Sequence, residues 1–334
     1  MVKTHDAIII GGGPAGCSAA LHLAFHERSV LVLDRGTSPM AFHTNSILNF
    51  PGSVYNEGRS LLRSMQGEAR AAGAEFIAAD VVEVSGRYSD FRLRTSPSYR
   101  TKDENEYHAK LLLIATGTSR KHPKVNGQWR GWLPVANVGN AALYCPDCEA
   151  PLCKDKEVLI VNAGTVGSAL HVANSLTRFT DKIQILMTED AYIPFESQDL
   201  SKLNDSPFPW TSGTIKSISF PRPGIAQSVT LTDGRRLKAS VFFVAFVDVV
   251  RSELARQIGI DVDAKGNILT DHRGKTNIEG VWAAGDVRPI TQQVAMAVGT
   301  GNYAAVMMNQ FLGNKYEQEQ EFDHPNHRRA LYME

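Results

Sequence analysis

Residues Asp6 to Asp34, DAIIIGGGPAGCSAALHLAFHERSVLVLD, decide the fold of this chain. The apolar run Asp6–Ile10 predicts a buried strand, and the glycines that follow predict a tight turn. Ala15–Phe25 predicts a helix that leads to a second strand at Val30–Leu33. A strand, a glycine-rich turn, a helix and a strand in this order are typical of a βαβ unit that binds a dinucleotide.

The three spaced glycines of this turn, Gly11, Gly13 and Gly16, have different expected roles. The first permits the tight turn, the second lets the backbone approach a pyrophosphate, and the third lets the helix pack closely on the strand. Asp34 lies 18 residues beyond Gly16, where a carboxylate can accept hydrogen bonds from ribose hydroxyls. The turn alone does not distinguish FAD from a nicotinamide cofactor.

Two later segments favour a flavin. Ala115-Thr116-Gly117 ends one predicted strand, and TNIEGVWAAGD at 276–286 ends another with Asp286. A carboxylate at that position can bind a ribityl chain. The helix predicted from about Gln293 can stabilise negative charge on a flavin ring through its dipole.

Two of the four cysteines form a CxxC motif, Cys145-Pro146-Asp147-Cys148. This spacing allows a reversible disulfide, in which one thiolate attacks a partner disulfide and the other resolves the mixed intermediate. Zinc ligation and inert buried thiols are the alternatives, but zinc needs four ligands and only Cys153 lies nearby. We therefore expect a redox pair without a bound metal, and we expect Cys17 to pack in the core.

Five motifs in this order resemble the low-molecular-weight thioredoxin reductase family. They are GGGPAG, LNFPG at 48–52, ATG at 115–117, the CxxC before a second nucleotide-type turn, and GVWAAGD at 280–286. The resemblance covers about residues 6–312. It implies an α/β fold with two Rossmann-like nucleotide-binding domains, like that of the pyridine nucleotide-disulfide oxidoreductases. It also implies a FAD-dependent disulfide oxidoreductase, with a thioredoxin-like protein as substrate and a homodimeric assembly.

The same resemblance implies roles for individual residues. The implied FAD contacts are Gly11, Gly13, Pro14, Ala15, Gly16, Asp34, Asn49, Val82, Thr116, Gly117, Gly285, Asp286, Gln293 and Val294. Asn49 as a loop cap and Val82 as a core residue are the alternatives. The family's second cysteine faces the flavin and its first attacks the substrate, which assigns these roles to Cys148 and Cys145. The family has aspartate and glycine next, whereas this chain has Glu149 and Ala150. Glu149 is either a general acid or a solvated surface acid.

A second strand, turn and helix follows Glu157, in VLIVNAGTVGSALHVANSL. We assign residues 1–120 and 246–334 to a discontinuous FAD-binding domain, and residues 121–245 to an inserted Rossmann-like domain that holds the CxxC.

The polar tail from Gly313 is expected to be irregular. A sharper hypothesis has its basic residues and Tyr332 covering the space of a nicotinamide.

The second turn departs from the family in three places. Asn162 replaces the first glycine and is expected to adopt a left-handed conformation at about 1 kcal/mol or less. NADPH-dependent members carry an arginine pair after the next strand, where this chain has Glu189 and Asp190. Phe246 stands where the family has a glycine. NADPH is therefore disfavoured, and the chain resembles divergent flavin-dependent disulfide reductases that take electrons from ferredoxin or carry a second flavin.

Two rival functions are an NADH- or NADPH-dependent thioredoxin reductase that tolerates the altered turn, and a flavin-binding redox sensor without turnover.

The composition of the chain argues against nucleic acid and membranes as binding partners. The chain has 35 Lys+Arg and 35 Asp+Glu, so no net field attracts nucleic acid. Its longest apolar run, Val241–Val247, is too short to span a membrane. The opening MVKTHD lacks an apolar signal segment, so we expect the cytoplasm.

Overall fold

The computed structural model describes residues 3–45, 47–53, 57–96, 104–137, 141–194, 196–219 and 228–323. Its strands are β1 (Thr4–Ile10), β2 (Val30–Asp34), β3 (Glu75–Ala78), β4 (Asp80–Arg87), β5 (Asp90–Ser96), β6 (Glu106–Ile114), β7 (Thr118–Lys121), β8 (Ala142–Leu143), β9 (Val158–Asn162), β10 (Ile183–Thr188), β11 (Trp210–Gly213), β12 (Ile215–Ser219), β13 (Ser228–Leu231), β14 (Arg236–Lys238), β15 (Val241–Ala245), β16 (Val247–Val250) and β17 (Val281–Ala283). Its α-helices are α1 (Pro14–Phe25), α2 (Pro39–Phe42), α3 (Gly58–Ala71), α4 (Leu133–Ala136), α5 (Pro146–Glu149), α6 (Val166–Leu176), α7 (Ser197–Asn204), α8 (Glu253–Gln257) and α9 (Val294–Asp323).

The chain forms two compact units. The first consists of Met1–Ser38, Leu62–Thr118 and Val250–Glu334, and the second of Pro39–Leu61 and Ser119–Val249. The assignment of these segments to a FAD-binding and an inserted domain, with the boundaries given above, stays a prediction.

The first unit is built on a seven-stranded sheet in the order β3-β2-β1-β6-β5-β4, with β17 also paired to β6. β1 is parallel to β2 and β6, whereas β4 and β5 form an antiparallel extension. Ile9 belongs to one buried cluster and Ile8 and Ile10 to another, so both faces of β1 are covered. A strand covered on both faces reads as a continuous apolar run, which is why Asp6–Ile10 could be recognised.

Helices α1 and α9 approach closely in the first unit. A Cβ added at Gly301 of α9 would lie 2.1 Å from the carbonyl oxygen of Ala15 in α1. Only a glycine permits this contact, which holds the start of α1 against α9. The glycine-rich turn is therefore held in place by the sheet and also by the packing of α9 against the start of α1.

The second unit has a parallel five-stranded sheet in the order β11-β10-β9-β15-β8. Leu159 and Val161 of β9 belong to one buried cluster and Ile160 to another, so this sheet is also covered on both faces. A three-stranded antiparallel sheet, β12-β13-β14, and a two-stranded sheet of β7 and β16 complete the strands.

The expected irregular tail is wrong for its first part, because α9 continues through Gly313 to Asp323. The added segment, GNKYEQEQEFD, is rich in Lys, Glu and Gln, which have favourable helix propensities. Tyr332 and the basic residues near it lie outside the described residues. In the described part of the chain, no helix combines the length and apolar character needed to cross a bilayer.

Candidate functional site

The glycine-rich turn after β1 is held by close backbone contacts. Gly11 has φ of +108°, and an added Cβ would lie 2.4 Å from the carbonyl oxygen of Ala115 at the end of β6. A Cβ on Gly16 would lie 1.9 Å from the carbonyl oxygen of Gly11. These two glycines are therefore required by the protein's own packing.

Gly13 has a different environment from its neighbours. It caps α1 with φ of −76° and ψ of −175°, and Pro14 begins the helix. Among the described residues, a Cβ on Gly13 would meet only Ser38 Oγ at 3.4 Å and Ser38 Cβ at 3.9 Å, so their packing does not require glycine here. Space beside the first amides of a helix suits an anionic group. The turn thus fits a pyrophosphate that approaches the backbone at Gly13.

Asp34 ends β2 close to this turn. A Cβ on Gly12 would lie 2.8 Å from the carboxylate carbon of Asp34, and Asp34 Oδ1 accepts a hydrogen bond from the Gly36 amide at 3.0 Å. The half-buried carboxylate keeps its second oxygen available for other donors. This placement suits a ribose.

Two further predicted segments lie next to this turn within the first unit, one through the approach of Ala115 to Gly11 and the other through the approach of Gly285 to Ala15. The Thr116 hydroxyl donates to the carbonyl of Arg251 at 2.6 Å, and Gly117 has φ of +62°. A Cβ on Gly285 would lie 2.9 Å from Ala15 Cβ, and the Gly285 amide donates to Thr300 Oγ1 at 3.0 Å. Asp286 follows in the short 3-10 turn Gly285–Val287.

The other predicted flavin contacts are divided between the two units. Gln293 and Val294 lie at the start of α9 in the first unit, and Asn49 is an exposed residue of the second unit. The alternative of Val82 as a core residue is wrong, because its side chain is 41% exposed. Its backbone oxygen accepts a hydrogen bond from Gln257 Nε2 at 3.0 Å.

The two cysteines of the CxxC motif are joined in a disulfide, with a Cα–Cα distance of 5.3 Å. Cys145 immediately precedes α5, and its carbonyl accepts hydrogen bonds from the amides of Cys148 at 3.1 Å and Glu149 at 2.9 Å. Both cysteines are half-buried. In the part of the chain that the structure describes, no group of three or more His, Cys, Asp or Glu is placed to hold a metal ion.

The remaining two cysteines are buried thiols. Burial, with a contribution from the nearby Asp34 carboxylate, raises the pKa of Cys17 to about 12. Burial likewise raises the pKa of Cys153 to about 12, with Glu149 adding to the rise. Neither thiol forms an appreciable thiolate near neutral pH, so both are poor nucleophiles.

Glu149 is not a solvated surface acid, because its side chain is only 2% exposed. Its Oε2 accepts hydrogen bonds from the amides of Tyr144 at 2.7 Å and Cys145 at 3.0 Å, and its Oε1 accepts one from Asn45 Nδ2 at 2.7 Å. His43 Nε2 lies 3.9 Å from the same Oε1. The carboxylate therefore links the CxxC turn to the segment that follows α2.

A polar and aromatic cluster lies beside this turn and was not predicted. Trp132 Nε1 donates to the Tyr144 hydroxyl at 3.0 Å, and His122 Nδ1 lies 3.2 Å from the same hydroxyl. Arg120 lies 5.2 Å from the Tyr144 ring centre and 5.1 Å from that of Phe246. Burial and the Arg120 charge lower the pKa of His122 to about 4. No local motif marks these residues, since they belong to separate segments.

The second glycine turn is closed by its own side chains. Asn162 does not adopt a left-handed conformation, because it is the last residue of β9 and pairs with β10 and β15. Its buried Oδ1 instead accepts a hydrogen bond from the Gly164 amide at 3.2 Å. The Thr165 amide donates to Ser168 Oγ at 3.0 Å, and the Ser168 amide donates to Thr165 Oγ1 at 3.1 Å. Three amides at this turn are therefore already bound.

Comparison with known proteins gives the family. Residues 5–301 match the family described as pyridine nucleotide-disulphide oxidoreductase. This chain belongs to that family. The thioredoxin reductase of Listeria monocytogenes is 30% identical over 313 residues, which are 90% of this chain and 92% of that protein. The thioredoxin reductase of Bacillus subtilis is 30% identical over 324 residues, which are 93% of this chain and 95% of that protein.

The fold is shared with a solved structure of the same kind. The crystal structure of a putative thioredoxin reductase from Bacillus anthracis has a TM-score of 0.77 at 20% identity, and covers 93% of this chain and 99% of that one. The predicted fold class and the predicted low-molecular-weight thioredoxin reductase family are confirmed. As a member of this family, the chain is a flavin-dependent disulfide oxidoreductase.

The family's arginine pair has no counterpart at the end of β10, where Glu189 and Asp190 follow Thr188. Burial raises the pKa of Asp190, and Lys124 Nζ donates to its backbone oxygen at 2.7 Å. Arg235 is an electrostatic neighbour of Glu189, but its guanidinium already bonds Asp233 and the carbonyl of Ser212.

Proposed function

We propose that this chain passes electrons between FAD and the Cys145–Cys148 pair, and from the pair to a protein disulfide such as that of thioredoxin. We further propose that NADPH is not its electron donor. The observation that carries the second proposal is the closed second turn, in which side chains of the protein already accept hydrogen bonds from the amides of Gly164 and Thr165.

The first unit supplies the proposed FAD site. The amides next to Gly13 would bind the pyrophosphate, Asp34 the ribose, and Asp286 the ribityl chain. Bound FAD supplies a two-electron centre that can exchange electrons with a disulfide. The open space at Gly13 supports this site, because neither the backbone conformation nor a neighbouring protein atom explains the glycine.

The cysteine pair supplies the proposed exchange with the substrate. Two electrons break the Cys145–Cys148 bond, and Cys145 then attacks the partner disulfide while Cys148 resolves the mixed disulfide. Glu149 orients the turn through the amides of Tyr144 and Cys145. As a general acid, Glu149 would relay a proton from a neighbouring titratable group to a newly formed thiolate rather than store one.

A closed turn weakens pyridine nucleotide binding for a definite reason. A pyrophosphate would have to replace the bonds that Gly164 and Thr165 make to Asn162 and Ser168, so its gain over the free protein is small. A Cβ on Gly164 would also lie 3.0 Å from the backbone oxygen of Phe246, so there is little room to rearrange.

The charges at the end of β10 add to this effect for NADPH. Two missing charge-assisted hydrogen bonds, at roughly 1.5 to 3 kcal/mol each, correspond to about two to four orders of magnitude in affinity. Glu189 would also repel the 2′-phosphate. NADH lacks that phosphate, and its ribose hydroxyls could donate hydrogen bonds to Glu189. NADH is therefore the stronger of the two nicotinamide candidates.

Anaerobic reduction of the flavin tests the proposed donor. NADPH, NADH and reduced ferredoxin would be added separately to the holoprotein, and loss of flavin absorbance would be followed in time. We expect reduced ferredoxin, or a donor acting through a second flavin, to bleach the absorbance faster than either nucleotide. Rapid bleaching by NADPH would refute the proposal, and rapid bleaching by NADH would identify a nicotinamide-dependent reductase.

Dithiothreitol provides the matched test of the cysteine pair. Dithiothreitol should reduce the Cys145–Cys148 disulfide. The reduced pair should then exchange electrons with the flavin, whichever electron donor the protein uses. Slow flavin reduction with every electron donor would instead favour the alternative function, a flavin-binding redox sensor without turnover. Ferredoxin as donor, thioredoxin as acceptor, a homodimer and a cytoplasmic location are parts of this proposal that rest on the resemblance to the family.

A further inference from the structure

His43 lies beside the buried carboxylate of Glu149, which accepts hydrogen bonds from the CxxC turn. Its Nε2 is 3.9 Å from Glu149 Oε1, and its side chain is 20% exposed while that of Glu149 is 2% exposed. A Cβ added at Gly58 would lie 2.9 Å from both Cβ and Cδ2 of His43, so the ring is confined on that side. His43 thus connects Glu149 to the protein surface.

The other positions around the Glu149 carboxylate are occupied. Two backbone amides donate to its Oε2, and the Asn45 amide donates to its Oε1 while also donating to the carbonyl of Ala142 at 3.3 Å. Three N–H donors are thus directed at the two oxygens of this carboxylate. His43 is a titratable side chain placed beside it, with Nε2 3.9 Å from Oε1.

Reduction of the disulfide changes the charge next to this network. The disulfide is neutral, whereas a reduced pair can carry a thiolate. The Cys145 sulfur is three bonds from the amide nitrogen that lies 3.0 Å from Glu149 Oε2, so a thiolate there forms close to an existing carboxylate. Two negative charges in a half-buried site repel each other unless a positive charge accompanies them.

We propose that His43 takes up a proton when the Cys145–Cys148 pair is reduced, and so stabilises the reduced pair as one thiol and one thiolate. His43 is a positioning residue that acts through Glu149. The inference rests on the proposed redox function of the pair.

The electrostatic surroundings of His43 are consistent with this role. In the disulfide form, burial lowers the pKa of His43, Glu149 opposes this effect, and Arg120 adds to it. The guanidinium of Arg59, whose amide donates to the His43 carbonyl, is bonded to Glu57. Burial therefore favours the neutral imidazole before reduction, and an added thiolate raises the pKa of His43.

The step balances with a dithiol as reductant. Dithiothreitol loses two S–H bonds, gives up two electrons and two protons, and forms its own disulfide. The Cys145–Cys148 bond breaks, one sulfur takes one proton, and His43 takes the other. The products are a protein thiol, a thiolate and an imidazolium.

Alkylation of the reduced holoprotein tests the inference. After reduction with dithiothreitol and its anaerobic removal, the rate of Cys145 modification by iodoacetamide would be measured by mass spectrometry between pH 5.5 and 10. An imidazolium near a thiol lowers its pKa by about one unit or more, so His43→Gln should slow modification at pH 6 by roughly tenfold. The two proteins should react equally above the thiol pKa.

His122→Gln is the matched control, because His122 is a half-buried histidine of the same unit whose Nδ1 lies 3.2 Å from the Tyr144 hydroxyl. Its profile should coincide with that of the wild type. A second measurement needs no variant: NMR titration of ¹³C-labelled histidines should give His43 a pKa at least one unit higher in the reduced protein than in the disulfide form.

The outcomes separate the inference from the proposed function. If dithiothreitol fails to open the cysteine pair, or the opened pair exchanges no electrons with the flavin, the redox function itself fails. If the pair opens and exchanges electrons, but the His43→Gln profile and the His43 titration are unchanged, the inference about His43 is overturned and the redox function stands.

Discussion

Replacing Gly13 with alanine should remove the flavin and leave the protein folded. Gly13 has φ of −76° and ψ of −175°, which alanine adopts without strain. The nearest protein atom to the new Cβ is Ser38 Oγ at 3.4 Å, an ordinary contact. The stability of the apoprotein should therefore change by about 0.5 kcal/mol or less.

The effect on FAD binding should be much larger. The methyl group would occupy the space in which we propose that the pyrophosphate approaches the helix amides. Loss of one or two charge-assisted hydrogen bonds, at roughly 1.5 to 3 kcal/mol each, weakens binding by about one to four orders of magnitude. Flavin per chain after purification and the Kd for FAD added to apoprotein would measure the loss.

Two other glycines are informative controls. A Cβ on Gly16 would lie 1.9 Å from the Gly11 oxygen and 3.3 Å from Ile9 Cγ2, so Gly16→Ala should cost about 3 kcal/mol or more in folding. Gly67→Ala, in α3 with no atom within 4 Å of the added Cβ, should leave flavin binding unchanged. The reasoning is refuted if Gly13→Ala binds FAD as tightly as the wild type, or if its apoprotein is as unstable as that of Gly16→Ala.

Four other predictions concern the second unit. Cys145→Ser should leave a Cys148 thiolate and a long-wavelength flavin charge-transfer band, whereas Cys148→Ser should show no band; absorbance spectra decide this. Asn162→Gly should free an amide and speed flavin reduction by NADH in stopped flow, with little gain for NADPH; equal gains would contradict the charge argument. Asn45→Ala removes a donor to a buried carboxylate and should cost about 2 kcal/mol, lowering Tm by roughly 4 to 8 °C in calorimetry. Burial lowers the pKa of His122 from 6.5 to about 4, so His122 is protonated more readily in the unfolded chain than in the folded one. The free energy of unfolding should therefore decrease as the pH is lowered from 6.5 to 4. In urea unfolding, His122→Gln should lose roughly 2 kcal/mol less of this free energy than the wild type between pH 7 and pH 4.5.

The sequence was sufficient wherever the deciding interactions are local. The strand, turn and helix of Asp6–Asp34 follow from an apolar run, spaced glycines and an acid at a fixed distance, and all of these can be read within 29 residues. The CxxC spacing likewise places the two cysteines three residues apart at the start of a short helix. Together with the order of the motifs, these signals predicted the family and the fold class.

Tertiary structure decided the features that depend on distant partners. The burial of Glu149 could not be read from its neighbours, because Asn45 and His43 approach it from about 100 residues earlier in the chain. The conformation of Asn162 was mispredicted because pairing with β10 and β15 extends its backbone and turns its side chain toward the Gly164 amide. Side-chain hydrogen bonding and strand pairing in the folded chain outweigh the local backbone preference of a single residue, and only the packed structure shows which donors remain available to a ligand.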